Sequence, residues 1–116
     1  MGSAIVTTET SAARGAAAAV PAKRPALSVI VPLYNEQESV RPLYAAIVQA
    51  VSELGRPFEM VFVDDGSTDD TVAIVDEIAR IDARLRLVKF RRNYGQTPAM
   101  AAGIEHAHGE VLVTMD

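Results

Sequence analysis

The chain has 116 residues, of which 49% are hydrophobic and 22% charged, and its formal net charge is -4. This composition is typical of one globular domain, because it is too apolar for a disordered chain and too often interrupted by charge for a membrane span. The absence of cysteine excludes disulfides and thiolate metal sites. The acidic balance argues against nucleic acid as the main partner, since phosphate binding requires a basic surface.

The first 26 residues differ in composition from the rest of the chain. They are rich in Ala, Thr and Ser, include a run of alanines at 16–19, and contain prolines at 21 and 25. No apolar periodicity in this stretch would offset the entropy lost on ordering. We therefore predict a disordered, dispensable tail at 1–26 and a folded region at 27–116, with a weak Ala-rich helix as the alternative for the tail.

The folded region opens with a strand and a helix. Residues 27–32 (LSVIVP) form a run rich in β-branched residues that stops at a proline. Asn35 is the predicted cap of the following helix, with Glu38 as its capping-box partner, and Gly55 marks the end of that helix.

A second strand and helix follow. Residues 58–63 (FEMVFV) predict a strand, and the next three residues, Asp-Asp-Gly, predict a turn. Ser67 is the predicted cap of the second helix, with Asp70 three residues later. A third strand is predicted at 85–90 and a third helix from Thr97 and Pro98 to a point before Gly109. Residues 110–115 predict a fourth strand.

This alternation of strands and helices predicts an α/β fold, with a mostly parallel sheet and helices on both faces. In such sheets, ligands bind outside the carboxyl ends of the strands. Polar residues follow all four predicted strands: Tyr34, Asn35 and Glu36; Asp64 and Asp65; residues 91–93; and Asp116. Because turns favour such residues in any case, the residue types must identify the site.

Three blocks of sequence lie at these strand ends. They are VPLYNE at 31–36, VDDGSTD at 63–69 and RNYGQ at 92–96, followed by Gly-Glu at 109–110 ahead of a strand that ends in Asp116. Together they resemble the inverting nucleotide-sugar glycosyltransferases with the GT-A fold. The third block resembles the polyprenyl-phosphate (dolichyl-phosphate type) branch in particular. The resemblance covers 27–116 and implies a Rossmann-like sheet that is truncated after its fourth strand.

The resemblance implies a nucleotide pocket. It places Asp65 against the base, Pro32 and Tyr34 in one wall, and Glu36 close to the ribose or base. A carboxylate also suits this role chemically, because it accepts hydrogen bonds from the N–H donors of uracil or guanine. Asp64 is a further candidate for substrate binding. The alternative for both aspartates, weaker for Asp65 than for Asp64, is a plain turn at a helix N-terminus, and Tyr34 equally fits a packing role.

The segment before the third helix is the candidate diphosphate site. The free N–H groups of a helix N-terminus suit an anion, and Arg92 could add a bidentate contact. The alternative for Arg92 is a solvated side chain at a strand end. Asn93 and Gly95 are the other candidates, since glycine permits close approach of a ligand to the backbone.

Asp116 is the candidate catalytic and metal-binding residue. In the family, a strand such as 110–115 ends in an Asp-x-Asp motif that holds a divalent cation, here Mg²⁺ or Mn²⁺, and this chain contains the first Asp alone. His106 and His108 are not expected to form a metal pair, because residues two apart on a helix point in different directions.

The implied activity is that of a metal-dependent hexosyltransferase. It would move a sugar, with inversion, from a UDP- or GDP-linked donor to a polyprenyl-phosphate acceptor, in cell-wall or glycolipid synthesis. We expect the acceptor site and any membrane-associated segment to lie beyond residue 116. The 116 residues alone are then expected to be inactive. The full-length protein is expected to act at the cytoplasmic face of the membrane. Whether it forms an oligomer stays open.

Three alternatives remain open from the residues. One is a glycosyltransferase of the same fold with a saccharide acceptor. Another is a non-catalytic nucleotide-binding module. The third is a receiver-like phosphoacceptor domain, although the sequence has no acidic pair after the first strand and no Lys after the last.

Overall fold

The computed structural model describes residues 6–9 and 24–115. Within these residues the chain forms eight elements in this order: β1 (Val6–Glu9), β2 (Leu27–Leu33), α1 (Val40–Ser52), β3 (Phe58–Asp64), α2 (Thr71–Ala79), β4 (Leu85–Phe90), α3 (Gln96–His106) and β5 (Val111–Thr114). Among the described residues, no helix has the length and hydrophobicity that crossing a bilayer requires.

The sheet has the order β1-β4-β3-β2-β5, and its four strands from β2 to β5 are parallel. Leu33 at the end of β2 pairs with Asp64 at the end of β3, which in turn pairs with Lys89 of β4. The carboxyl ends of the three central strands therefore meet at one edge of the sheet. This confirms the predicted α/β fold with a mostly parallel sheet.

The sheet is covered on both faces. Met60 and Phe62 of β3 belong to a core beneath α1 and α2, and Val61 and Val63, which alternate with them, belong to a core beneath α3. All seven residues of β3 are buried, as a central strand of a parallel sheet requires. Gly103 brings α3 onto the sheet, because a Cβ there would lie 2.3 Å from Cγ2 of Ile30.

The first strand differs from the expectation of a disordered tail. Val6–Glu9 runs antiparallel along the outer edge of β4, with Val6 opposite Phe90. A Val-Thr-Thr run has high strand propensity, and its ladder satisfies backbone groups that an edge strand would otherwise leave unpaired. Ala26, also assigned to the tail, is buried. The remainder of the predicted tail, at 1–5 and 10–23, lies outside the described residues.

Two predicted helix caps are wrong. Asn35 has a φ of 52° and lies five residues before α1, which begins at Val40. Ser67 lies four residues before Thr71, the first residue of α2. The side chain of Asn35 instead bonds to the loop after β3, and that of Ser67 bonds to the loop after β2. Local sequence patterns do not reveal such contacts between loops.

Asp82, in the loop between α2 and β4, connects this loop to α1 by hydrogen bonds. Its carboxylate accepts hydrogen bonds from Nε and Nη2 of Arg84, each at 2.9 Å, and from the hydroxyl of Tyr44 on α1 at 2.6 Å. The hydrogen bonds from Arg84, opposed by partial burial and aided by Tyr44, lower the pKa of Asp82 to about 2.

Asp82→Asn is expected to destabilise the fold in a pH-dependent way. At pH 6 we expect a loss of about 1 to 2 kcal/mol in the free energy of unfolding, because the charged acceptor is removed. Since the folded-state pKa is depressed from 3.8 to about 2, the stabilisation is present above pH 3.8 and is lost as the pH falls through 2. Urea denaturation at pH 6, 4 and 2.5 measures this difference. Glu77→Gln, which breaks an exposed ion pair with Arg41, is the control with little expected effect.

Candidate functional site

A cavity of about 370 Å³ lies at the carboxyl ends of β2 and β3, next to the segment between β4 and α3. Its lining residues are Pro32, Leu33, Tyr34, Glu36, Asp65, Asn93, Gly95 and Gln96. The volume is in the range of small-ligand sites. The structure thus brings together six residues that the sequence blocks singled out for substrate binding. Leu33 and Gln96 were not predicted, although both lie inside the same blocks.

The loop after β2 is held by the loop after β3 through reciprocal hydrogen bonds. The N–H of Asn35 donates to Oγ of Ser67 at 2.8 Å, and the N–H of Thr68 donates to Oδ1 of Asn35 at 2.8 Å. The N–H of Glu36 donates to Oγ1 of Thr71 at 2.8 Å. Because these backbone groups are bonded to side chains of the other loop, the cavity wall that includes Glu36 is held against the start of α2.

Asp65 holds the segment before α3. The residue is 4% exposed, and its carboxylate accepts hydrogen bonds from the N–H of Tyr94 at 2.7 Å, the N–H of Gly95 at 3.0 Å and Nδ2 of Asn93 at 3.1 Å. A buried carboxylate requires such donors to offset its lost hydration. We call this set of bonds the Asp65 clamp, and it determines where Asn93 and Gly95 stand in the cavity wall.

Asp64 has a different environment from its neighbour. It is 1% exposed, and its carboxylate accepts hydrogen bonds from the N–H groups of Gly66 and Ser67 at 3.1 and 2.9 Å and from Oγ of Ser67 at 2.5 Å. It does not line the 370 Å³ cavity but borders a separate one of about 470 Å³ beside Lys89 and Arg91. These contacts are those of a turn-forming residue.

Arg92 and Tyr94 stack together outside the cavity lining. The guanidinium of Arg92 lies 4.9 Å from the centre of the Tyr94 ring, and that ring meets Phe90 edge-on at 5.6 Å. Arg92 is exposed. Its contact with a diphosphate therefore stays a prediction.

The N-terminus of α3 faces the cavity. Gly95, whose φ is 109°, precedes the helix, and Gln96 is its first residue; both line the cavity. The first N–H groups of a helix have no partner within the helix and carry partial positive charge. The Asp65 carboxylate already accepts from the N–H of Gly95, so a further anionic group would meet the N–H groups of Gln96 and Thr97.

The described residues contain no group of three or more His, Asp or Glu side chains that could hold a metal ion. Asp116, the predicted metal ligand, lies outside the described residues. Burial, together with the charge of Arg86, lowers the pKa of His106 below its ordinary value. The backbone N–H of His108 donates to Glu59 at 2.6 Å, close to the amino ends of the strands and away from the cavity.

Gly66 is where the loop after β3 touches the segment that the Asp65 clamp holds. Its φ is +81°, and a Cβ there would lie 2.3 Å from the carbonyl carbon of Arg92 and 2.4 Å from the nitrogen of Asn93. Gly55 has a similar φ of +68° but no atom within 4 Å of its Cβ position. Alanine substitutions at Gly66 and Gly55 therefore separate the destabilisation caused by close approach from that caused by the left-handed backbone conformation.

Gly66→Ala is expected to lower the free energy of unfolding by about 2 kcal/mol or more beyond the effect of Gly55→Ala. The Gly55 variant carries the left-handed strain alone, at about 1 kcal/mol. Chemical denaturation of both variants measures the difference. Equal losses would contradict the close contact between Gly66 and the 92–93 backbone.

The chain matches the family model described as Glycosyl transferase family 2 over residues 28–116. It is 43% identical over 91 residues to a dodecaprenyl-phosphate galacturonate synthase of Rhizobium johnstonii, covering 78% of this chain and 27% of that protein. It is 41% identical over 91 residues to an undecaprenyl-phosphate 4-deoxy-4-formamido-L-arabinose transferase of Edwardsiella ictaluri, covering 78% of this chain and 28% of that protein. The chain thus spans less than a third of the length of these relatives.

Two solved structures share the fold. One is the mannosyltransferase PcManGT of Pyrobaculum calidifontis in complex with GDP-Man and Mn²⁺, with a TM-score of 0.60 and 33% identity over 84% of this chain and 28% of that one. The other is TarS 1-349 of S. aureus, with a TM-score of 0.62 and 33% identity over 76% of this chain and 26% of that one. The match to the family model over 28–116 shows that this chain belongs to glycosyltransferase family 2.

Proposed function

We propose that these residues form the nucleotide-binding part of an enzyme that transfers a sugar from a nucleotide-sugar to a polyprenyl phosphate. The observation that carries the proposal is the cavity at the carboxyl ends of the strands, which gathers six of the residues that the sequence analysis singled out for substrate binding. The named activities of the two relatives, on dodecaprenyl and undecaprenyl phosphate, support the choice of acceptor.

In this proposal, the base binds between the wall of Pro32 and Tyr34 and the carboxylate of Asp65. Tyr34 is half-exposed and lines the cavity, so its ring is available for stacking. Asp65 would accept a hydrogen bond from an N–H of uracil or guanine while it holds the segment before α3. Glu36, in the same wall, is placed for the ribose or base. Asp64 contributes to the site through the turn that it stabilises.

The diphosphate is assigned to the wall made by Asn93, Gly95 and the first turn of α3. The partial positive charge at this helix end favours phosphate oxygens. Arg92 would leave the face of Tyr94 to reach a phosphate, a movement that an exposed side chain makes readily. The chain thereby holds the donor with its leaving group at a helix N-terminus.

Transfer would proceed by a single displacement with inversion. An oxygen of the lipid phosphate forms the bond to the anomeric carbon, while the bond to the nucleoside diphosphate breaks and its electron pair leaves with the diphosphate. A phosphate acceptor is ionised at neutral pH and requires no general base. The chain's own contribution is to orient the donor for in-line attack.

A divalent cation belongs to the proposal, with Asp116 as one ligand and Mg²⁺ or Mn²⁺ as the ion. The Mn²⁺ in the complex of PcManGT supports this assignment. Such a cation, when bound, neutralises charge on the leaving diphosphate. Because the acceptor is a membrane lipid and the donor is water-soluble, we place the reaction at the cytoplasmic face of a membrane.

Asp65→Ala is expected to weaken nucleotide binding by about 10- to 100-fold, because it removes both an acceptor for the base and the clamp on the segment before α3. Calorimetric titration with UDP and with GDP measures the affinity and also shows which base is preferred. Asp64→Ala and Asn35→Ala are expected to have smaller effects, since neither residue lines the cavity. Glu38→Ala, also outside the lining, is the control. Equal affinities across the series would contradict the assigned role of Asp65.

The acceptor is tested in the whole protein that carries these residues. We expect release of nucleoside diphosphate from a UDP- or GDP-linked sugar to depend on polyprenyl phosphate and on Mg²⁺ or Mn²⁺. Release driven by a saccharide instead would show that the acceptor is wrong. Nucleotide binding without release with any acceptor would favour the non-catalytic module.

A further inference from the structure

β5 lies at one edge of the described sheet, with Val111 opposite Leu27 of β2. Its four residues are all exposed, with Val111, Leu112 and Val113 at 53%, 40% and 41% exposure. In most strands a slip of one residue moves apolar side chains from the core to solvent, and this cost prevents the slip. Among the described residues, burial differs little between the two faces of β5, so other contacts contribute to keeping Val111 opposite Leu27.

A buried polar pair at the amino end of the sheet bonds to the residues just before β5. Ser28 and Glu59 are opposite each other on β2 and β3 and are buried. The hydroxyl of Ser28 donates to Oε2 of Glu59 at 2.5 Å and accepts from the N–H of Gly109 at 2.8 Å. The same Oε2 accepts from the N–H of His108 at 2.6 Å. Two successive backbone N–H groups are thus captured by side chains of two other strands.

The contact at Gly109 discriminates between registers. A Cβ at this position would lie 2.6 Å from Oγ of Ser28 and 2.8 Å from the carbonyl carbon of Leu27. The residues on either side, His108 and Glu110, both carry a Cβ. A slip of one residue in either direction would bring one of these side chains against Ser28, so glycine fits in one register alone.

Arg86 of β4 completes the cluster. Its Nη2 donates to Oε1 of Glu59 at 2.9 Å and also to the carbonyl oxygen of His106. Burial raises the pKa of Glu59, but the hydrogen bonds from His108 and Ser28 and the charge of Arg86 outweigh it and leave the pKa below its ordinary value. Glu59 is therefore a charged acceptor at neutral pH, which makes its bond to the His108 N–H strong.

We propose that Ser28 and Glu59 are positioning residues that determine the register of β5 on β2. Through this register they determine where Thr114 and Met115, at the carboxyl end of β5, stand beside Ile30 of β2. Thr114 pairs with Ile30, two residues before Pro32 of the cavity wall. The link to catalysis rests on the proposed function, whereas the register itself does not.

Disulfide trapping reads the register directly, because the chain contains no cysteine of its own. Leu27→Cys with Val111→Cys joins partners in the observed register. Leu27→Cys with Leu112→Cys, or with Glu110→Cys, joins partners after a slip of one residue. We expect the first pair to oxidise about tenfold faster than either slipped pair, since a disulfide requires close and aligned Cβ atoms.

Adding Ser28→Ala is expected to reduce this preference to less than about threefold. Gly109→Ala disrupts the same contact between Ser28 and Gly109 and is expected to reduce the preference equally. Tyr44→Phe removes one hydrogen bond, to Asp82, outside the cluster of Ser28 and Glu59, and is the matched control that keeps the tenfold preference. If Gly109→Ala does not fold, Glu59→Gln takes its place.

An unchanged preference in Ser28→Ala and in the second folded variant would overturn the proposal, as would an equal fall in Tyr44→Phe. Titration of the same variants with UDP and GDP keeps the two proposals distinct. A loss of trapping preference in Ser28→Ala supports the role of Ser28, whether or not that variant binds nucleotide. An absence of nucleotide binding in the unsubstituted chain would contradict the proposed function alone.

Discussion

The candidate site depends on one buried carboxylate. Asp65 lies at the carboxyl end of the central strand, where burial requires hydrogen-bond donors, and the segment at 93–95 supplies them from its backbone and from Asn93. The segment in turn receives a defined position that its own sequence does not provide. Gly66 permits the close approach of the two backbones. Without this mutual requirement, one wall of the cavity would be an unsupported loop.

The same principle operates at the other end of α3. Asp65 binds the residues before the helix, and Glu59 binds the N–H of His108, just after it. Both carboxylates belong to the β3 region and are buried. The helix is therefore attached to the central strand at each end by a charged acceptor, and its middle is packed closely through Gly103. This arrangement connects the cavity wall to the position of β5 through one rigid element.

The family match and the geometry of the cavity give different information about the chain. The family match assigns residues 28–116 to glycosyltransferase family 2. The geometry shows which of the family-like residues stand together: Pro32, Tyr34, Glu36, Asp65, Asn93 and Gly95 share one cavity, whereas Asp64 belongs to the turn and Arg92 to a stack with Tyr94. Neighbouring residues in one block thus have separate tasks.

The sequence by itself determined the strands from β2 to β5, the parallel α/β class and most of the cavity lining, because strand runs and loop motifs are local signals. It did not predict the bonds of Asn35 and Ser67, the strand at Val6–Glu9 or the Ser28–Glu59 cluster. The Ser28–Gly109 bond joins residues 81 apart, and Glu59 in FEMVFV is an ordinary polar residue until the register sets Ser28 beside it. Only the tertiary structure decides such contacts, because they depend on which strands are neighbours and on how their residues align.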